Sequence, residues 1–393
     1  MRKIKQAVIL AGGKGVRLEP FTLGKPKPMY EFNQTPFLSY LLLQLKQCGI
    51  TDVVLLLGYM AEVIMDYYHD GSQFGMGLLY DVTPVEYDTG SRLKHAENLL
   101  QEEFLLMYCD NFCPLNFEKM ERQFFESKVE AQITAYANKD AYTKGNLKIQ
   151  DGIVKVYDKS RKQDGLEPVD IGYVFLRKGV IASIPDDNVN FEECLYPRLV
   201  QEEKLGVYVT EHRYYSVGSW ARIYLTKEFF RPKKAVFIDR DGTLNVRPPR
   251  AEYVMRPEQF IWLDGAKEAV RLLHQNGYLL FLFTNQPGIA RGVMTQHKLD
   301  MIHLKMQTEL QENGGCFDQI YVCTHGWDEN CDCRKPKPGL LYQAQKEWSL
   351  NLMECIVIGD DDRDMQAGEA AGCKCYQVSE NRSLLDIVKG LLT

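Results

Sequence analysis

Strand-length apolar runs alternate with helix-length segments twice along this chain, and that repetition constrains the fold more than any other feature. The first series has strand candidates at 6–11, 52–57, 78–82 and 104–110, separated by helix candidates such as 36–48 and 92–100, and a more β-rich stretch follows at 132–175. The second series restarts at 235–239 and continues through 278–284, 320–324, 355–360 and 374–378. Alternation of this kind predicts mostly parallel sheets with helices on their faces, so both halves read as α/β. Between them lies Arg231-Pro-Lys-Lys234, a polar stretch whose proline disfavours a helix running through it. The expected division is a domain over 1–230, a linker at 231–234 and a second domain over 235–393. The motifs of the two series differ, which argues against a duplication.

At roughly 100 to 200 residues per domain, a chain of 393 residues also suggests two domains. Its 45% hydrophobic and 25% charged content exclude a disordered or fibrous chain. With a net charge of −6 and no long Lys/Arg cluster, nucleic acid is not an expected partner and small molecules are. The N-terminal apolar run, 7–11, is too short for a signal peptide, and runs such as 53–57 and 278–283 are too short to span a bilayer. No membrane association is expected. Eleven cysteines without a secretory signal point to reduced thiols in the cytoplasm, some of them as metal ligands. Oligomeric state is not legible.

In the second half, the first strand runs into Asp239-Arg-Asp-Gly-Thr-Leu-Asn245, placing two carboxylates two residues apart beyond a strand's C-terminal end. That edge is where open α/β sheets bind ligands. One carboxylate can attack phosphorus, the other can protonate the leaving oxygen, and a divalent cation can screen the charge between carboxylate and phosphate. Thr284-Asn-Gln-Pro-Gly-Ile-Ala-Arg291 offers a hydroxyl and backbone N–H groups after the next strand, Arg334 and Lys335 supply cations, and Asp360 with its acidic neighbours offers oxygen ligands for Mg²⁺. Cys323, His325, Cys331 and Cys333 form C-x-H-x5-C-x-C, four ligands suited to a closed, structural, tetrahedral Zn²⁺ site. Cys373 and Cys375, without further ligands nearby, read as core residues, and His274 and His303 read as structural or surface residues.

These motifs resemble the haloacid-dehalogenase superfamily of phosphatases, which implies a parallel three-layer α/β/α sandwich. DRDGTLN, TNQPGIARG and CDCRKPKPG look like its D,D-heptose-1,7-bisphosphate phosphatase and histidinol-phosphatase branch. By that resemblance Asp239 is the nucleophile and Asp241 the general acid and base. Thr284 and Lys335 stabilise the phosphoryl group, and Arg240, Asn285, Gln286 and Arg334 contact substrate. Asp239, Asp360 and Asp241, the last through its backbone carbonyl, hold Mg²⁺. One position departs from the pattern: relatives often carry a basic residue after the fourth-motif aspartate, where this chain has Asp361. Either weaker phosphate binding or a more acidic metal site follows.

In the first half, Leu10-Ala-Gly-Gly-Lys-Gly-Val-Arg-Leu-Glu-Pro20 follows the first strand, and Lys25-Pro-Lys-Pro-Met29 comes soon after. Glycines let backbone N–H groups turn towards an anion, and Arg17 and Lys27 add positive charge for a triphosphate. The loop fits neither the dinucleotide fingerprint nor the Walker loop. Together with the PKP segment it resembles sugar-1-phosphate nucleotidyltransferases, which implies a Rossmann-like, GT-A-like mixed sheet. The resemblance assigns Gly12, Gly13, Gly15 and Arg17 to the nucleoside triphosphate and Lys27 to its phosphates. It places Asp88 and Gly90 near base and sugar, Asp110 on Mg²⁺, Lys159 on the sugar phosphate, and Asp170 and Gly172 on the sugar. Three positions depart: Val16 replaces a usual hydroxyl residue, Cys109 a glycine, and Ser216 stands where relatives often have a second metal-binding aspartate, a role that Asp88 or Asp170 is left to fill.

The two resemblances together imply a bifunctional enzyme. A phosphatase removes the 7-phosphate of D-glycero-D-manno-heptose 1,7-bisphosphate, and a transferase joins the resulting 1-phosphate to a nucleotide, with GTP the first choice. CTP or UTP with another sugar or polyol phosphate stays open, as does a first half that binds ligand and regulates the phosphatase. Histidinol phosphate is a weaker alternative for the second half.

Overall fold

A computed structural model describes residues 3–249 and 252–393. Contacts divide the chain into two compact units, Met1–Phe230 and Arg231–Thr393. The expected linker is shorter than the sequence suggests, because Lys234 already opens the first strand of the second unit, Lys234–Ile238, and pairs in register with Tyr278.

The first unit is built on a nine-stranded mixed sheet. Across it run Gly77–Val82, Asp52–Leu57, Gln6–Leu10, Glu103–Tyr108, Val169–Arg177, Ala131–Tyr136, Leu205–Thr210, Ile153–Tyr157 and Leu147–Gln150. The first four are mutually parallel, Val169–Arg177 is antiparallel to both its neighbours, and Leu205–Thr210 pairs parallel with Ala131–Tyr136. All five residues of Gln6–Leu10 are buried, as expected of a parallel strand covered on both faces. Strand alternation sends Ala7 and Ile9 to one core and Val8 and Leu10 to the other. Val8, Ile9 and Leu10 each contribute about 1.5 to 3 kcal/mol by leaving water. The helix expected at 36–48 is Phe37–Gln47, and the one expected at 92–100 is Thr89–His95 followed by a short 3₁₀ turn, Glu97–Leu99.

The second unit has a five-stranded, wholly parallel sheet in the order Gln319–Cys323, Tyr278–Asn285, Lys234–Ile238, Ile356–Gly359, Lys374–Gln377. Val236 and Ile238 pack into one core beneath the helices Ala266–Gln275, Gln296–Glu312 and Leu384–Leu392. Ala235 and Phe237 pack into the other beneath Gly339–Trp348. The central strand therefore delivers Asp239 to the sheet's carboxyl edge between two covered faces. Among the described residues no helix is long and apolar enough to cross a membrane.

Candidate active sites

Three strand ends converge in the second unit. Asp239 follows Lys234–Ile238, Thr284 lies near the end of Tyr278–Asn285, and Asp360 follows Ile356–Gly359. Lys335 reaches between them: its Nζ lies 2.6 Å from Asp239 Oδ1, 2.5 Å from Asp364 Oδ1 and 3.0 Å from the Phe283 carbonyl. Asp364 is presented by a capping box. Asp361 caps the helix Asp362–Ala370, and the Asp361 N–H donates to Asp364 Oδ2 at 3.1 Å, leaving the other Asp364 oxygen for Lys335. Asn285 fixes the Lys335 backbone from both sides, accepting from its N–H at 3.1 Å and donating to its carbonyl at 3.2 Å.

Ligand oxygens of Asp239, Asp360 and Asp364 lie within 4.8 Å of one another. Asp360 Oδ1 is buried and has no hydrogen-bond partner, and burial pushes the Asp360 carboxyl up to about 6. An orphaned buried oxygen beside two further carboxylates suits a hard divalent cation. Gly242, at φ 90°, passes so close that a Cβ there would lie 1.9 Å from Asp360 Oδ2, so no other residue fits this turn. Burial likewise pushes the Asp239 carboxyl up, to about 7, against the pull of Lys335.

Asp241 is held differently. It accepts from Arg240 Nη2 at 2.8 Å, Asn245 Nδ2 at 3.0 Å and Gln286 Nε2 at 3.0 Å. Burial opposes its ionisation, but Arg240 and these donors outweigh burial and keep its carboxyl below the ordinary range. One sequence expectation is corrected here. Arg240 and Gln286 were expected to touch substrate, yet they are only 0% and 1% exposed, and both hold Asp241. The Asp241 side chain, occupied by these partners, does not join the carboxylate trio; Asp364 does. His303 was read as carrying no constellation. It is buried, and its Nε2 lies 3.3 Å from Arg240 Nη1, so it completes a buried chain from His303 through Arg240 to Asp241.

Asp361, the departing fourth-motif residue, gathers two arginines. Arg363 donates to it through Nε at 2.8 Å and Nη2 at 2.9 Å, and Arg247 Nη2 lies 2.6 Å away. A cleft of about 540 Å³ opens over the site, lined in part by Asp239, Thr284, Lys335, Arg334, Arg247 and Arg363. The four Cys/His ligands expected for zinc converge beside it. Sulfur–sulfur separations are 3.7, 3.2 and 3.5 Å, and His325 Nδ1 lies 3.7 Å from Cys323 Sγ and 3.2 Å from Cys333 Sγ. An ion with about 2.3 Å bonds to sulfur has tetrahedron edges near 3.7 Å, so this spacing fits one. Arg334 Nη1 donates to the His325 carbonyl at 3.2 Å, tying the ligand loop to the cleft.

In the first unit, Gly12 and Gly13 follow Gln6–Leu10, Gly15 adopts a left-handed φ of 66°, and Arg17 and Lys27 sit on short 3₁₀ turns. Lys27 Nζ lies 2.9 Å from Asp110 Oδ2, and despite burial Lys27 holds the Asp110 carboxyl below its ordinary range. Around Gly218, Asp110, Arg17 and Ser216 come together: a Cβ placed there would lie 3.0 Å from Ser216 Oγ, 3.8 Å from Arg17 Nη2 and 4.0 Å from Asp110 Oδ2. Ser216 Oγ is already engaged, accepting from the Gly218 N–H at 2.9 Å. The carboxylates considered as its substitutes lie elsewhere. Asp88 caps Thr89–His95 and accepts from Asn190, and Asp170 accepts from the Gly172 N–H and the Tyr157 hydroxyl. Burial and the nearby Glu192 push the Asp170 carboxyl up to about 7. Lys159 pairs with Glu192 at 3.3 Å and Glu193 at 3.2 Å. Gly90 lies against the Val189 carbonyl and Gly172 against Tyr108.

Arg92 is a residue to which the motifs assign no role of its own. Its guanidinium is buried and donates to the carbonyls of Leu57, Gly12, Pro84, Val85 and Tyr87 and to the Thr83 hydroxyl. A Cβ on Gly12 would lie 2.5 Å from Arg92 Cζ, so this glycine makes room for the arginine as well as for a ligand.

Fold and site thus define a nucleotidyltransferase unit joined to a haloacid-dehalogenase-type phosphatase unit. The Nucleotidyl transferase family model matches residues 6–231, and a HAD-hydrolase-like model matches residues 332–386. The second unit is 43% identical over 148 residues to the D-glycero-beta-D-manno-heptose-1,7-bisphosphate 7-phosphatase of Pasteurella multocida, covering 36% of this chain and 79% of that protein. It is 42% identical over 142 residues to the Helicobacter pylori protein of the same name, covering 36% and 80%. The first unit resembles the crystal structure of HddC from Yersinia pseudotuberculosis, with 26% identity, a TM-score of 0.51, and coverage of 58% of this chain and 100% of that one. HddC has also been solved in complex with GMP-PN. The chain belongs to the nucleotidyl transferase family through its first unit and to the heptose-bisphosphate phosphatase family through its second.

Proposed function

We propose that the chain is a bifunctional enzyme that makes a nucleotide-activated heptose. Its second unit hydrolyses the 7-phosphate of D-glycero-D-manno-heptose 1,7-bisphosphate, and its first unit transfers a nucleotidyl group, GMP from GTP, to the resulting 1-phosphate with release of pyrophosphate. The observation that carries this reading is the buried Asp239–Lys335–Asp364 cluster beside the orphaned Asp360 oxygen, in a unit 43% identical to a named heptose-bisphosphate phosphatase.

In the phosphatase, Asp239 attacks phosphorus while Asp241 protonates the departing sugar oxygen, and an aspartyl phosphate remains. Water then attacks that intermediate as Asp241 takes its proton. Its depressed pKa suits the second step; in the first, the negative charge of bound phosphate raises the carboxyl's affinity for a proton. Lys335 and the Thr284 hydroxyl meet the phosphoryl oxygens. Asp239 and Asp360, with the Asp241 backbone carbonyl, would hold Mg²⁺, which would supply charge neutralisation at the phosphoryl group. Cys323, His325, Cys331 and Cys333 would hold Zn²⁺, which would pin the loop that carries Arg334 and Lys335.

In the transferase, Gly12, Gly13, Gly15, Arg17 and Lys27 hold the triphosphate and Asp110 holds Mg²⁺, while a sugar phosphate oxygen attacks the α-phosphorus in line. Lys159, Asp170 and Gly172 line the sugar side, and Asp88 and Gly90 the base side. The cytoplasm belongs to the reading, since nucleoside triphosphates and reduced thiols coexist there. One observation favours a second reading: Ser216 Oγ is engaged with the Gly218 N–H, leaving Asp110 without a carboxylate partner at that position. On that reading the first unit binds a nucleotide or sugar phosphate and regulates the phosphatase.

The test is a phosphorus NMR time course with Mg²⁺, the heptose bisphosphate and each of the four nucleoside triphosphates in turn. Inorganic phosphate followed by pyrophosphate and a new diphosphate diester, with one base, is the expected result. Phosphate alone favours the second reading, and no phosphate at all rejects the phosphatase assignment.

A further inference from the structure

The mouth of the phosphatase cleft carries an unusual charge arrangement. Lys335 reaches the cleft but its charge is already divided between two carboxylates, and Arg240 is fully buried against Asp241. The position after Asp360 is itself an aspartate. Yet Asp361 collects Arg247 and Arg363; Arg247 Nε also lies 3.3 Å from Asp360 Oδ2, whereas the ion pair of Arg363 is with Asp361. Asp361 grips Arg363 by its Nε and Nη2 edge. A guanidinium has five N–H groups, and the Nη1 side of this one has no protein partner among the described residues. Arg363 lines the cleft over Asp239, and it also lines the adjoining cavity of about 590 Å³ beside the zinc-ligand loop.

We propose that Arg363 is a phosphate-binding cation at the mouth of this cleft, and that Asp361 is its positioning residue. A guanidinium locked along one edge by a carboxylate offers its other edge as a rigid pair of donors, the geometry that matches two phosphate oxygens. Asp361 thereby holds an oriented fork two residues further along the chain. The inference rests on the phosphatase reading above. The phosphate it binds is either the one being removed or the second phosphate of a bisphosphate.

Thermal-shift binding midpoints on the full chain without added Mg²⁺, so that the ligands are not hydrolysed, separate these sources. The ligands are the heptose 1,7-bisphosphate, its 7-phosphate, its 1-phosphate and inorganic phosphate, and the proteins are wild type, Arg363→Gln and Arg363→Lys. Arg363→Gln is expected to weaken bisphosphate binding about tenfold or more, because a charge-assisted bidentate contact is removed. Arg363→Lys keeps the charge without the fork and should lose less; it also serves if the glutamine variant folds poorly. Weakening shared by the 7-phosphate and inorganic phosphate assigns Arg363 to the reacting phosphate. Weakening confined to the bisphosphate and the 1-phosphate assigns it to the second one. Equal midpoints for wild type and both variants with all four ligands overturn the proposal. Turnover is measured separately, with Mg²⁺: a wild type that binds these ligands without releasing phosphate defeats the phosphatase reading, while the midpoints still decide the role of Arg363.

Discussion

Both units place a lysine against an aspartate at the carboxyl edge of parallel strands, but their charge balance differs. In the second unit one ammonium is shared by Asp239 and Asp364, with Asp360 close by and one of its oxygens unpartnered. Negative charge is in excess there, and a divalent cation completes the site. In the first unit Lys27 meets Asp110 one to one, and Ser216 adds only a hydroxyl that is already bonded. The Lys27–Asp110 pair of the first unit is closer to neutral.

The comparison breaks most sharply under substitution of the two aspartates. Asp239→Asn should lower phosphate release by about 10⁴-fold or more, since nucleophile removal is among the most damaging changes an enzyme can suffer. Pyrophosphate release should stay at the wild-type rate when heptose 1-phosphate is supplied directly. Asp110→Asn should do the reverse, lowering pyrophosphate release by at least about 10²-fold through loss of phosphoryl-charge stabilisation. If Asp110→Asn alters only the phosphatase kinetics, the first unit is a regulator.

A smaller effect concerns the Cys/His cluster. Metal analysis should find about one tightly held zinc per chain, and Cys331→Ser should loosen it and lower the melting midpoint of the second unit by several degrees, as expected when a structural metal site is weakened. Phosphatase activity should fall along with it, because the same loop carries Arg334 and Lys335. Stable, zinc-free protein would refute the assignment.

The smallest effect is a pH slope. Burial, with Arg240 adding to it, depresses His303 to about 3, so the folded state resists the proton that the unfolded chain binds near pH 6.5. The unfolded state then holds more protons between pH 6.5 and 3, and stability falls as pH falls through that window, by at most about 1.4 kcal/mol per pH unit. His303→Gln keeps an acceptor for Arg240 and should flatten this slope in denaturant titrations, while leaving stability at pH 8 within about 1 kcal/mol of wild type.

Much of this was legible in the sequence because it is local. The central strands, the glycine loop, the DRDGTLN turn and the C-x-H-x5-C-x-C ligands all rest on short spacings that backbone geometry turns directly into proximity. What escaped is long-range or depends on burial. His303 reaches Arg240 across 63 positions, and Arg247 reaches Asp361 across 114. No periodicity reports that Arg240 is buried, so its charge is expected to face substrate when it instead steadies Asp241. Asp364 was visible as a nearby acid, but only the capping box explains why it turns towards Lys335 while Asp361 turns away.

Arg92 carries a consequence for the first unit's kinetics. Its guanidinium stitches the glycine loop to the carbonyls at the ends of neighbouring strands, so the cradle is already shaped before any nucleotide enters. A loop held this way gives up little entropy on binding, and association should proceed without a slow closing phase. Amides around Gly12 should exchange with solvent almost as slowly as those of the sheet itself, an uncommon property for a glycine-rich turn.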